Sequence, residues 1–240
     1  ISYYDAINRD LKYVRATDAN GSSWAGSQLI DAAVAVGQYD SLVVVAGSPA
    51  ISYHDATNGD LKYVRAADST GAGWSAPLAV ESAGTVGSFS SLAVVNGVPA
   101  ISYYDAGSRD LRYVRAGDAG GTSWLAALTL DSDVVAPVTG QHVSQAVVNG
   151  HPAMSYHDAA NGNLMYIRAL NAAGTNWGTP RRVVHTVNTV GWYTSLAVVN
   201  GRPAISYYDL STGRINFVRA ADATGTGWGV PITLTSSNIM

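Results

Sequence analysis

The sequence predicts an all-β fold, a β-propeller with five blades of four antiparallel strands and about 50 residues per repeat. Three observations predict it. Trp24, Trp74, Trp124, Trp177 and Trp228 stand 50, 50, 53 and 51 residues apart. Within each interval, short alternating runs rich in aromatic and β-branched residues are cut by Gly and Asn-Gly turns. No window keeps apolar residues at a spacing of 3.6 over the ten or so positions that a helix needs. Units of this kind bury their faces only against one another, so the five belong to a single domain, 1–240.

The units begin at Ile1, Ile51, Ile101, Met154 and Ile205, giving repeats 1–50, 51–100, 101–153, 154–204 and 205–240. In the third blade the inner strand is Ser91 to Asn96, whose small and β-branched residues suit a crowded central channel. Asn96-Gly97 is a hairpin signal, and it leads into the second strand, Ala100 to Asp105. The third strand is Leu111 to Arg115 and the outer strand Trp124 to Leu130, separated by a Gly-rich turn. Second, third and outer strands each occur five times, whereas inner strands occur only at Leu42, Leu92, Gln145 and Leu196. One inner strand is therefore missing at the N-terminal end. A strand preceding Ile1 is the favoured remedy; a longer array, or the tail Ser236-Ser-Asn-Ile-Met240, would also fill the place.

The formal charge is −3 and lysine occurs only at Lys12 and Lys62, with the arginines evenly spread, so no basic patch exists and no nucleic-acid partner is expected. The absence of cysteine removes disulfides, thiolate metal sites and cysteine nucleophiles. No apolar run approaches the roughly 20 residues of a membrane helix, so no membrane partner is expected. Scarce lysine and abundant Ser, Thr, Gly and Asn turns point to an extracellular protein.

Asp18, Gly21 and Trp24 recur as Asp68, Gly71 and Trp74, as Asp118, Gly121 and Trp124, as Asn171, Gly174 and Trp177, and as Asp222, Gly225 and Trp228. This resembles the Asp-box hairpin of sialidase-type propellers, with six positions from Asp to Trp where that motif has five. The resemblance implies a fold-forming hairpin on the face opposite the active site. Physically, the Asp accepts turn amides while the Trp wedges between blades. Arg15, Arg65, Arg115, Arg168 and Arg219 also occur once per blade, a placement for capping carbonyls or pairing with that Asp, unlike the three converging arginines of a sialidase.

In the Ser-Tyr-(Tyr or His)-Asp segments, Asp5, Asp55, Asp105, Asp158 and Asp209 cap the following turn. The residue before each, Tyr4, His54, Tyr104, His157 or Tyr208, is an aromatic hydrogen-bonding group, suited to interblade packing or to five equivalent ligand pockets. His54 and His157 lack metal-ligand spacing, and neither a metal nor a cofactor is expected. The loops before the inner strands vary most: Gln38-Tyr39-Asp40, Ser88-Phe89-Ser90, Gln141-His142-Val143 and Trp192-Tyr193-Thr194, with Asp131 to Gly140 longer by three residues. Rings at a channel mouth beside Gln and Asp suit a sugar, so Tyr39, Asp40, Phe89, Gln141, His142, Trp192 and Tyr193 join the Tyr/His positions as candidate ligand contacts. Trp192 is the foremost of them. The alternative is that Tyr39, Phe89 and Tyr193 plug the channel.

Glycosidases work through paired carboxylates or a Tyr and Glu couple. The chain has one glutamate, Glu81, and the expected inner strands carry no Asp or Glu. The expectation is accordingly a non-catalytic, lectin-like propeller whose partner is a glycan or other multivalent ligand. The chain is similar in plan to tachylectin-type lectins, and that resemblance implies equivalent sugar sites acting through avidity. The alternatives are a scaffold that docks a protein partner over its loop face, and a glycoside hydrolase of sialidase or arabinanase type using Asp40 and Glu81.

Overall fold

The computed structural model describes residues 1–132, 139–178, 182–187 and 189–235. Blade one holds β1 (Ser2–Asp5), β2 (Asp10–Tyr13) and β3 (Gln28–Asp31); blade two holds β4 (Val36–Val45), β5 (Ser48–Asp55), β6 (Asp60–Arg65) and β7 (Leu78–Glu81). Blade three comprises β8 (Ser88–Val95), β9 (Val98–Asp105), β10 (Asp110–Arg115) and β11 (Leu128–Asp131). Blade four comprises β12 (Thr139–Val148), β13 (His151–Asp158), β14 (Asn163–Arg168) and β15 (Arg182–His185), and blade five β16 (Val190–Val199), β17 (Arg202–Asp209), β18 (Arg214–Arg219) and β19 (Ile232–Thr233). Each is an antiparallel sheet in sequence order, four-stranded except for blade one, which is three-stranded. Among the described residues, blade one thus lacks the inner strand that the other four blades have. The tail 236–240 and most of the longer blade-three loop, 133–138, lie outside the described residues.

Two strand boundaries differ from expectation. The inner strands start earlier, so β4 includes Tyr39 and Asp40, because β-bulges carry pairing past the expected start: the register of β4 on β5 shifts on both sides of Gln38. The outer strands start later, since Trp124 makes only an isolated bridge to Ala116 before β11.

The apolar core forms four clusters, each between two successive blades. Leu61, Tyr63 and Val114 share one with Tyr103, Val45 and Val86, while Leu164 and Tyr166 share another with Val190, Leu196 and Tyr207. At each junction the inner strand of one blade lies on the second and third strands of the blade before it. Close approach needs glycine: Gly87 has φ +91°, and a Cβ there would stand 2.9 Å from the Leu61 backbone.

Polar bonds tie the same junctions. At the rim, Tyr53 donates to Asp31 at 2.7 Å, Tyr103 donates to Glu81, and Tyr207 pairs with His185 at 2.8 Å. In the Asp-Gly-Trp turns, Asp18 accepts the amides of Asn20 and Ser22, and each tryptophan bonds back to its glycine carbonyl, as Trp124 does to Gly121 at 3.0 Å. Trp74, Trp124, Trp177 and Trp228 stand edge-on to a tyrosine of the preceding blade, with ring centroids 5.0–5.2 Å apart. The tryptophans are wedges. Three of the arginines cap carbonyls: Arg15 bonds to that of Ser69, Arg65 to those of Val45 and Ala46, and Arg168 to those of Val148 and Asn149.

Candidate functional site

The site grows from the inner-strand bulges. Tyr39, Phe89, His142 and Tyr193 occupy one equivalent place in four blades, and all are left-handed, with φ of 53°, 54°, 53° and 49°. That conformation costs a non-glycine residue about 1–2 kcal/mol, so something must hold it. At two of the four a neighbouring blade does: Ser90 donates to the Tyr39 carbonyl at 2.8 Å and Thr194 to the His142 carbonyl at 2.7 Å.

The bulges turn four rings toward one another in an arc. Tyr39 and Phe89 lie 4.6 Å apart, Phe89 and His142 4.5 Å, and His142 and Tyr193 4.6 Å. Around the arc is a cavity of about 300 Å³, walled by these rings and by Asp40, Ser90, Val143 and Thr194.

Asp40 is its only carboxylate among the described residues. Its Oδ2 accepts the hydroxyl of Ser2. Burial raises its pKa, outweighing the Ser2 bond. His142 is pushed the other way, down to about 4, by burial and then by His157. It is a neutral ring at ordinary pH. Trp192 stacks on it at 5.0 Å and donates from Nε1 to His157 Nε2 at 3.2 Å. His157 therefore carries its proton on Nδ1, which faces the Val190 carbonyl at 2.7 Å.

The structure gathers Tyr39, Asp40, Phe89, His142 and Tyr193 and places the other candidates around them. Gln141 and Trp192 pair in register with His157 and Tyr208. The Tyr/His position is used between blades, with His54 Nδ1 against the Val86 carbonyl at 2.7 Å. Tyr104 is buried, 6.3 Å from Phe89. Tyr208 with Trp192 and Tyr193 lines a separate cleft on blade five, and half-buried Tyr4 pairs with Leu11 outside the cavity wall.

Glu81 does not join Asp40. It accepts from Tyr103 and, at 3.0 Å, from Arg112, in a partly buried rim position that Asp31, Asp131 and His185 fill in other blades. No group of three potential metal ligands occurs among the described residues. Sequence reasoning missed Ser2, Ser90 and Thr194. The recurrence of a hydroxyl one residue after two of the four aromatic positions was the available signal.

No protein-family model matches the sequence, and no characterised relative matches it by sequence. Solved structures do match. A Hadza microbial sialidase aligns with TM-score 0.59 at 14% identity over 85% of this chain and 47% of its own. An exo-β-1,3-galactanase from Phanerochaete chrysosporium gives 0.57 at 12% identity, over 84% of this chain and 51% of its own. A GH43 endo-arabinanase from Bacillus licheniformis gives 0.56 at 11% identity, over 85% and 81%. The chain spans about half the length of the sialidase and the galactanase.

All three are glycoside hydrolases, which corrects the expectation of a non-catalytic, lectin-like propeller. The physical source of that error is local: it rested on inner strands free of carboxylates, whereas β4 carries Asp40 into the cavity wall. At these identities the likeness establishes the fold, an all-β propeller-type arrangement of the kind seen in sialidases and GH43 hydrolases.

Proposed function

We propose that the chain is a glycan-cleaving propeller of the glycoside-hydrolase type, with the bulge-lined cavity as its sugar site and Asp40 as its proton donor. The observation that carries this reading is a carboxyl group with a burial-raised pKa in the wall of a cavity ringed by aromatic side chains. A general acid must keep its proton near the working pH, and burial is the usual means. The rings offer flat apolar faces to a pyranose or furanose. At about 300 Å³ the cavity lies at the lower end of ligand-pocket sizes, fitting an exo-acting enzyme that seats one terminal sugar.

In the reaction, Asp40 gives its proton to the glycosidic oxygen as the bond from that oxygen to the anomeric carbon breaks. The electron-poor carbon then forms its new bond to the oxygen of water or of a phenol, Tyr39 and Tyr193 being the phenols that the cavity supplies, and the proton released goes to the Asp40 carboxylate; a tyrosyl glycoside so formed is hydrolysed by water, which restores the phenol. A tyrosine nucleophile is the sialidase variant of the two-group mechanism. The Asp-Gly-Trp turns support the same relationship, as an Asp-box with one added residue.

The test is hydrolysis of aryl sialosides, arabinofuranosides and galactosides by the intact chain. The wild type is expected to turn over at least one class, and Asp40→Asn to lower kcat by about 10²–10⁴-fold. Activity should fall on the alkaline side as Asp40 loses its proton, at a pH above the ordinary carboxylate range. Because ionised Asp40 is disfavoured in the fold, Asp40→Asn should keep or raise the melting temperature at neutral pH. Absence of turnover across all three classes would sink the reading.

A further inference from the structure

In four of the blades, the aspartate that ends the second strand has a side-chain donor on its Oδ2. Lys12 meets Asp5 in blade one. In blade two, Lys62 lies 2.8 Å from Asp55 and 3.4 Å from Asp31 of the blade before it. Arg112 repeats this in blade three, 3.2 Å from Asp105 and 3.0 Å from Glu81 of blade two. In blade four, Met165 takes the place of the cation, opposite Tyr156 as Lys62 is opposite Tyr53. There the Asn161 amide donates to Asp158 at 2.8 Å instead.

Blade five keeps the acid and loses both kinds of donor. Asn216 stands opposite Tyr207, where the cation would be, and Thr212 replaces the asparagine. Asp209 Oδ1 accepts the Ser211 and Thr212 amides at 2.9 and 3.1 Å, but no group donates to Oδ2 among the described residues. Asp209 is only 4% exposed, and a carboxylate so buried is costly without a partner. Its side chain borders a cavity of about 250 Å³ at the closed junction with blade four, walled also by Thr212, Asn216, Thr233 and, from blade four, His185. The Asn216 Oδ1 accepts the Thr233 hydroxyl at 2.9 Å and keeps a second lone pair.

We propose that this cavity binds a small aliphatic primary amine, whose ammonium takes the place that Lys62 fills in blade two. Asp209 Oδ2 supplies the opposite charge, and the Asn216 and Thr212 oxygens are further acceptors in the same wall. A point charge suits the site better than a guanidinium. Arg112 forks between two carboxylates, whereas here the acid of the preceding blade is replaced by His185, leaving Asp209 alone. Burial holds the His185 pKa below its ordinary value despite Asp209, so the ring is neutral at ordinary pH and does not repel a cation. A metal ion is a poorer match, since no group of three potential metal ligands occurs among the described residues. Arg214 borders the cavity but is exposed and makes no ion pair with Asp209 among the described residues. The bound amine clamps blade five to blade four, as Lys62 clamps blade two to blade one. The site is separate from Asp40, and its test involves no turnover.

The experiment titrates the intact chain with n-butylamine, which carries the ammonium of a lysine side chain, at neutral pH and constant ionic strength. Binding is read from amide NMR shifts and from the melting temperature. The expected result is saturable one-to-one binding, with shifts centred on His185, Asp209, Thr212 and Asn216, and a melting temperature that rises with amine concentration. Butan-1-ol, of the same length without the charge, and potassium chloride should do neither. Asp209→Asn keeps an acceptor for the Ser211 and Thr212 amides but removes the charge, and should bind about tenfold or more weakly. Asn216→Lys supplies the cation from within, so it should lose binding and melt at a higher temperature. Arg214→Ala should bind at least as tightly as the wild type. Absence of binding by the wild type, equal binding by Asp209→Asn, or an equal response to potassium ions overturns the proposal. So does binding that appears only in Arg214→Ala, since Arg214 would then already serve Asp209.

Discussion

The junction between blades four and five and the open face of blade five are written in nearly the same residues, yet only one of them is a core. Leu164 is fully buried and its counterpart Ile215 is not; His157 has a partner on each ring nitrogen, while Tyr208 borders open space. The difference lies in the neighbouring strand. A blade does not bury its own face, and each unit's stability resides largely in its contact with the next, as expected for repeat architectures.

The strongest test of this contrast is truncation. Leu164→Ala empties a filled junction and should cost about 2–5 kcal/mol, whereas Ile215→Ala removes a half-solvated side chain and should cost about 1 kcal/mol or less. Urea denaturation of the two variants measures the difference, and equal losses would mean that the blade-five face is already covered. A smaller effect is expected at the turn glycines. Gly174→Ala and Gly21→Ala share the strain of a left-handed backbone, at φ +68° and +66°. Only at Gly174 does the new Cβ strike another blade, 2.6 Å from the Tyr113 hydroxyl. The Gly174 variant should be the less stable by about 1–3 kcal/mol, which differential scanning calorimetry resolves.

The smallest effect serves as the control. Asp18, at the open junction, and Asp68, at a closed one, both have lowered pKa values because turn hydroxyls and amides bond to the carboxylate, chiefly from Ser22 and Thr70. A folded pKa below the unfolded value of about 3.9 means that this stabilisation is complete above that pH and is lost as pH falls through the folded value. The melting temperature should therefore hold steady down to about pH 5 and decline below it. Asp18→Ala and Asp68→Ala should shift it by similar small amounts at pH 7, because each carboxylate serves its own turn. A much larger loss at Asp68 would give that turn a role in the junction.

The blades were legible because each repeat carries its own turn chemistry. Asn96-Gly97 and the Asp-Gly-Trp turns mark strand ends whatever surrounds them, and the shortage of one inner strand follows from counting. The bulges were not legible. Tyr39, Phe89, His142 and Tyr193 carry no local signal for a left-handed backbone, which tertiary bonds from Ser90 and Thr194 maintain at two of them. Missing the bulge placed the inner-strand start too late and left Asp40 in the preceding loop, and the non-catalytic reading rested on the resulting carboxylate-free inner strands together with the single glutamate, Glu81. Glu81 could have been assigned sooner, since Asp31, Asp131 and His185 end the outer strands of the other blades just as it ends β7. Lining up the repeats at that point exposes it as a rim latch.

The interblade bonds have a consequence for how such a chain changes size. Ser52 and Ser90 are 38 residues apart, Ser155 and Thr194 39, Tyr63 and Gly120 57, and Tyr166 and Thr224 58. None of these bonds reaches beyond the adjacent unit. Duplicating or deleting one whole repeat would leave every other junction with its partners, so recombination alone, without any new side chain, could alter the number of blades and the length of the arc that their inner strands form.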